Sequence, residues 1–205
     1  MLIRPHDRGS RETSLEFVRG HGFGQLIATG RNRDFPVAVP TQYLLDDSET
    51  VLLHLASGNP VFRALRENPA VLLSVVGDWT YIPGAWKALD SEDPALGIPT
   101  VYYAAVQLRC TAEVLETPEE KLAVLRKQLQ ELEPESGIAD PTVHEHRLRE
   151  IRALRLTIGE VTGKFKFGGN VDEPHRSEVA RRLLARDGPR DSAAREHLLR
   201  SRRGV

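Results

Sequence analysis

Three stretches of this chain carry residue types whose spacing suits chemistry. The first is TVLLHLASGNPVFRAL, Thr50 to Leu65. Val51, Leu52, Leu53 and Leu55 read as a buried strand, Ser57-Gly58-Asn59 as a tight polar turn, and Pro60 onward as a helix. Asn59 suits the N-cap, because its side-chain oxygen accepts from an amide two or three residues on. Pro60 suits the first helical position, where a missing N–H costs nothing. Such a loop aims free N–H groups at one spot and adds a helix dipole, which makes a general anion or phosphate site. The same residues also describe a well-capped strand-to-helix connection and nothing more. His54 stands on the strand leading in.

The second stretch is GKFKFGGN, residues 163–170. In an extended backbone Lys164 and Lys166 fall on one face and Phe165 and Phe167 on the other. Two cations beside a glycine-rich turn suit a phosphate or the electron-rich edge of a flavin. They equally suit a hairpin edge guarded by lysines. The third stretch, WTYIPGAW, brings Trp79, Tyr81 and Trp86 close in sequence, with Tyr102 and Tyr103 further on. Rings of this density stack on a planar ligand, pack in a core, or meet another subunit.

Other chemistries find little footing. Ser57 and Ser74 lack the flanking glycines of a nucleophile elbow. There is no GxGxxG and no P-loop. His144 and His146 are two residues apart, which puts them on different faces of a helix and disfavours a helical metal pair. The single cysteine, Cys110, excludes an internal disulfide and a thiolate-rich metal site. It lies on the apolar side of an alternating run and reads as packing.

The elements that position these residues follow from patterning. Residues 10–20 read as a short amphipathic helix capped by Ser10, with Leu15 and Val18 on one face. Extended runs follow at 23–30 and 35–45. Pro36 and Pro40 within the second run suggest an edge position or a bulge, since proline cannot donate to a ladder. Ala70 to Val76 is almost continuously apolar, which predicts burial on both faces. From Thr100 to Glu116, Val106, Leu108, Cys110, Ala112 and Val114 alternate with Gln107, Arg109, Thr111 and Glu113, so one face is wet. Thr117-Pro118-Glu119-Glu120 is a helix start with a capping box, and that helix should run to about Leu132. Val143 to Arg152 suggests another helix, Ala153 to Val161 a strand, and Pro174 to Ala185 a last helix.

From His175 onward nine arginines face four acids, a basic segment able to meet nucleic-acid phosphates or simply to be solvated. Residues 186–205 read as a basic, frayed tail, and 1–185 as one domain. With strands following one another directly, the pattern favours an α+β fold built on a small antiparallel β-barrel with helices attached. The formal charge of −1 supplies no global basic field. No apolar run approaches the roughly 20 residues of a membrane span, and the N-terminal stretch lacks the apolar core of a signal peptide. A cytoplasmic protein without metal is the expectation.

Five segments, in order, resemble the PaiB-type FMN-binding proteins, a family described as negative transcriptional regulators. They are Met1-Leu2-Ile3-Arg4-Pro5; His54-Leu55-Ala56 with Asn59-Pro60; Tyr81-Ile82-Pro83 with Trp86; Pro99-Thr100 with Tyr103; and Gly163-Lys164-Phe165-Lys166 with Asn170. The resemblance covers roughly residues 1–180. It implies a split β-barrel with peripheral helices, a homodimer, FMN near the dimer interface and a role in transcription. It implies His54, Ser57 and Asn59 on the phosphate side, Tyr81, Trp86 and Tyr103 on an aromatic side, and Lys164, Lys166 and Asn170 from the C-terminal motif. No catalytic residue follows from it.

Three pocket segments depart from the family pattern. Ser57 stands where an arginine is usual, removing a bidentate phosphate partner. Val101 and Tyr102 replace a tryptophan–asparagine pair, and Lys166-Phe167-Gly168-Gly169-Asn170 replaces lysine-leucine-serine-glutamine-asparagine. These changes predict weakened or altered FMN binding. They leave room for a flavin-dependent oxidoreductase, since such folds host enzymes too, and for a cofactor-free module. Direct DNA recognition rests on the C-terminal arginines alone.

Overall fold

A computed structural model describes residues 1–31, 33–88 and 93–200. Helix α1 (Arg11–His21) is followed by strands β1 (Phe23–Ala28), β2 (Val37–Gln42), β3 (Leu44–Leu45) and β4 (Thr50–Ala56), then α2 (Val61–Glu67). The long strand β5 (Ala70–Ile82) leads through two short 3-10 turns to β6 (Thr100–Leu115) and α3 (Pro118–Leu132). A 3-10 segment, Pro141–Glu150, precedes β7 (Ile151–Lys166), and helices α4 (Glu173–Arg186) and α5 (Asp191–Arg200) close the described chain. The strands form one sheet in the order β2-β1-β5-β6-β7-β4-β3.

Local chemistry accounts for many of these boundaries. Ser10 accepts the Thr13 amide at 3.0 Å and so caps α1. The α3 capping box is complete: the Thr117 hydroxyl accepts from the Glu120 amide at 3.3 Å, and the Glu120 carboxylate accepts from the Thr117 amide at 3.1 Å. Pro40 sits on β2, an end strand of the sheet, opposite Gln25. On β6 the inward residues Val106, Leu108, Cys110 and Ala112 are buried, whereas Arg109, Thr111 and Glu113 are exposed.

The chain resolves into two compact units. The first is Met1–Thr13, Val76–Val106 and Gly163–Val205; the second is Ser14–Val75 and Gln107–Thr162. The second unit holds the antiparallel pairs β1–β2, β3–β4 and β4–β7, with Leu53 opposite Leu154 and both fully buried. Leu52, Leu115, Val124 and Ala153 pack together under α3. In the first unit Tyr102 and Phe167 meet edge to face, 5.9 Å between centroids.

Three expectations meet a different local structure. Along β5, Val71, Leu73 and Val75 are buried but Ala70 and Val76 are exposed and Leu72 half-buried, so the apolar run is well covered on one face only. Residues 141–150 form a 3-10 segment instead of an α-helix, interrupted by non-helical geometry at His144. The polar end expected to fray from Arg186 contains α5, with Ala194 and Leu198 fully buried. Its apolar residues are few but fall on one side of the helix, which is enough to bury against α4.

Candidate functional site: a lysine-flanked aromatic face

The sequence-derived site residues divide between the two units. His54, Ser57 and Asn59 belong to the second; Tyr81, Trp86, Tyr103, Lys164, Lys166 and Asn170 belong to the first.

In the second unit the β4–α2 loop has the shape expected of it, but most of its backbone donors are already used. Asn59 Oδ1 accepts from the Val61 amide at 3.0 Å, as a cap should. The Ser57 amide donates to the Glu150 carbonyl at 2.8 Å, the Asn59 amide to the Ala56 carbonyl at 2.9 Å and the Phe62 amide to the Asn59 carbonyl at 3.2 Å. A buried or half-buried amide seeks a partner, and here the chain supplies it. The cluster of free N–H groups anticipated from the sequence is therefore not what this loop presents. His54 is fixed from α3: its Nδ1 lies 2.7 Å from Gln128 Oε1, which only accepts, so Nδ1 carries the hydrogen and Nε2 is the remaining acceptor. Arg152, opposite Leu55 on β7, lies 5.2 Å over the Phe62 ring and is paired with Glu116 at 3.6 Å.

In the first unit the second motif assembles as its alternation predicts. The Lys164 and Lys166 ammonium groups lie 5.4 and 6.0 Å from the centre of the same ring, Tyr103. Lys166 Nζ donates to Thr100 Oγ1 at 2.6 Å and Lys164 Nζ to the Leu2 carbonyl at 3.0 Å. Lys87 joins them. Burial, and then the Lys166 ammonium, hold Lys87 below the usual lysine value. Lys87 follows the 3-10 turn Gly84–Trp86, which abuts Gly97 so closely that a Cβ on Gly97 would overlap the Gly84 carbonyl oxygen. Thr100 lies in the Pro99-Thr100 segment of the resemblance, and its hydrogen bond with Lys166 gives it a place beside the lysines; Lys87 is not marked by its own neighbours in sequence.

The other rings of this unit have defined neighbours. Trp79 and Tyr81 project from the exposed face of β5, 44% and 51% accessible. Arg190 lies 4.3 Å over Trp79, and Arg186 lies 4.8 Å over Trp86. Arg186 is itself held by both oxygens of buried Asp191, at 2.7 and 2.6 Å, by Thr80 Oγ1 at 2.7 Å and by the Tyr81 carbonyl at 2.9 Å. Asn170 is exposed within the turn closed by the Val171 amide on the Gly168 carbonyl. A cavity of about 430 Å³ opens among the N-terminal segment, the end of β7 and α5, lined by His6, Arg8, Phe165, Phe167 and His197. There the His197 ring stacks on Phe167 at 4.5 Å and its Nε2 meets Asp78 Oδ2 at 2.7 Å.

Burial pushes the Cys110 thiol up to about 12, which removes it as a nucleophile at neutral pH. Among the described residues no group of three His, Cys, Asp or Glu side chains could hold a metal ion. No helix among them is long and apolar enough to cross a membrane.

Comparison with known proteins places this geometry. Residues 1–160 match the family model FMN_bind_2, described as "Putative FMN-binding domain". The chain belongs to this family. The matched span includes His54 to Tyr103 of the candidate set and ends before Lys164, Lys166 and Asn170. Bacillus subtilis (strain 168) protease synthase and sporulation protein PAI 2 is 24% identical over 184 residues, covering 87% of this chain and 86% of the relative. Among solved structures, the FAD and heme binding protein from Mycobacterium smegmatis superposes with a TM-score of 0.62 at 22% identity, over 85% of this chain and 80% of that one. The flavocytochrome Anf3 from Azotobacter vinelandii gives 0.61 at 17% identity, over 87% and 78%. The fold is thus α+β, an antiparallel split β-barrel type with peripheral helices, as the resemblance implied. FMN is the cofactor that family membership implies. The residues present fit it in part: the cation-flanked Tyr103 face suits the electron-rich edge of a flavin, whereas most amides of the β4–α2 loop are taken within the chain.

Proposed function

We propose that this FMN-binding-domain protein is a homodimeric, PaiB-like regulator that takes up FMN on the face bearing Tyr103, Lys164 and Lys166. The observation that carries the reading is the pair of lysines flanking the Tyr103 ring. When bound, a flavin supplies a redox-active, light-absorbing ring system; the chain supplies stacking surface and positive charge. Exposed Val76, Trp79, Tyr81, Ile98 and Val101 support a self-association surface in the same unit. Tyr81, Trp86 and Asn170 of the same unit remain candidates for flavin contact, and His54, Ser57 and Asn59 of the second unit remain a separate candidate group.

The regulatory part follows the resemblance to the PaiB-type family. It does not need the C-terminal arginines as a DNA-binding surface. Arg181 and Arg182 pair with Glu178, Arg186 with Asp191 and Arg200 with Glu196, and Arg176 donates to the Leu198 carbonyl. Those ion pairs engage four of the nine arginines with three acids, so part of the positive charge that a phosphate backbone would meet is compensated. A ligand-responsive dimer acting through a protein or small-molecule partner fits these arginines better.

One preparation tests the reading. The purified full chain should have a mass near twice 22.9 kDa by light scattering, and titration should show FMN binding with a Kd weaker than about 10 μM, roughly −7 kcal/mol. A tighter Kd would show that the altered motifs do not weaken the site. Absence of any flavin binding would remove FMN from the proposal, and bleaching of bound flavin by NAD(P)H would make the protein an oxidoreductase. Ser57→Arg should raise FMN affinity about tenfold by restoring a charge-assisted partner beside the β4–α2 loop. An unchanged Kd would mean that this loop does not face the phosphate.

A further inference from the structure

Among the described residues, Lys87, Lys164 and Lys166 present like charges with no carboxylate paired to them. Lys164 and Lys166 are anchored only by neutral oxygens, the Leu2 carbonyl and the Thr100 hydroxyl. Among the described residues the one lysine–carboxylate pair is Lys127 with Asp46, so none of these three is neutralised. Lys87 is half-buried and near enough to Lys166 to be repelled by it. The Tyr103 ring attracts both strand lysines but as a neutral quadrupole. Positive charges held together at a partly desolvated site raise the free energy of the unliganded protein, and a bound anion removes that cost. The Thr100 hydroxyl accepts from Lys166, which leaves its own O–H to donate to an incoming oxygen.

We infer that Lys87, Lys164 and Lys166, with the Thr100 hydroxyl, form an oxyanion site that takes the phosphate or carboxylate of a small ligand lying against Tyr103. The site shares Tyr103 and both strand lysines with the flavin reading and deepens it; only its flavin arm rests on that reading. An oxyanion here has two sources, the phosphate of FMN itself or a separate anionic ligand beside the flavin.

The test uses the full chain at low ionic strength and two probes, inorganic phosphate and the FMN–riboflavin pair. Inorganic phosphate should bind with a Kd of about 1 mM or tighter and shift the Tyr103 ring resonances, assigned by comparison with Tyr103→Phe. Lys87→Gln and Lys166→Gln should each weaken phosphate binding at least about fivefold. Lys166→Arg should retain it, and Lys127→Gln should leave it unchanged. If Lys87→Gln weakens FMN but not riboflavin, the flavin phosphate is the occupant. If FMN-saturated protein still binds phosphate at Tyr103, the occupant is a second ligand. Phosphate binding without flavin binding would end the flavin reading and leave the oxyanion site standing. The inference is overturned if phosphate fails to bind or binds without moving the Tyr103 resonances. It is equally overturned if phosphate binds the glutamine variants as well as the wild type, or if those variants lose FMN and riboflavin equally while binding no phosphate. The resonance shifts are read on the wild-type protein, so they decide the matter even where a lysine variant fails to fold.

Discussion

Asp191→Ala should lower the unfolding free energy by about 3 kcal/mol. The Asp191 side chain is 4% accessible and accepts from Arg186 Nε and Nη2, from the Thr80 hydroxyl at 2.7 Å and from the Gly188 amide at 3.0 Å. Alanine strands these donors, and stranding a half-buried guanidinium costs more than the pair contributed. The same residue opens α5, so α5 should also lose its docking on α4 and on Thr80 of β5. The effect carries a pH signature. The Arg186 hydrogen bonds, opposed by burial, lower the Asp191 carboxyl from its ordinary 3.8 to about 2. A carboxyl depressed in the folded state stabilises it above the ordinary value, and this contribution disappears as pH falls through the folded value. The gap in stability between wild type and Asp191→Ala, read by denaturant unfolding, should therefore be full above pH 4 and shrink towards pH 2. A gap that is constant over that range would show that the carboxylate charge is not what the network uses.

Gly168→Ala should cost about 2–3 kcal/mol, the sum of a left-handed backbone and an overpacked neighbour. Gly168 has φ +71°, and a Cβ there would overlap the Tyr102 hydroxyl oxygen. Tyr102 is 2% accessible, so its ring has nowhere to retreat. Its hydroxyl has no hydrogen-bond partner among the described residues, and burial raises its pKa, so removing that oxygen loses little. Tyr102→Phe alone should be near neutral, and it should recover at least half of the loss in the Gly168→Ala background. That recovery separates the overlap from the backbone strain in a double-mutant cycle. If Tyr102→Phe recovers nothing, the positive φ carries the whole cost. The Gly168 turn follows directly on Lys166, so the single variant should also weaken any ligand held by Lys164 and Lys166.

The elements were largely legible because their causes are local. Thr117 and Glu120 are three residues apart, and their reciprocal hydrogen bonds follow from that spacing wherever the helix lies. Alternation fixes which side of β6 carries Cys110 and which carries Arg109, and it put Lys164 and Lys166 on one face before any ring was known to lie beneath them. Pro40 marked an end strand because it lacks a donor. Four of the five short motifs that carried the family resemblance lie within the matched residues 1–160, and the fifth, Gly163 to Asn170, lies beyond them. Where local pattern misled, a non-local partner had the decision. The apolar run 70–76 looked buried on both faces, but composition does not say which layers cover a strand. The segment after Arg186 looked too polar to pack, yet two apolar side chains on one side of α5, with Asp191 on Arg186 and Thr80, suffice to hold it.

The same division runs through the site. By itself the sequence determined the shape of the 57–60 loop, the Asn59 cap, and the pairing of two cations with aromatic residues in 163–167. It could not count the loop's free amides, because the Ser57 amide is taken by the carbonyl of Glu150, 93 positions away in the chain. Only the tertiary structure brought Lys87 and Thr100 to Lys166 and both strand lysines to Tyr103, and only it turned arginines that look like a basic tail into ion pairs. Hydrogen-bond donors and charges are defined by what faces them, and in this chain the facing groups come from distant segments.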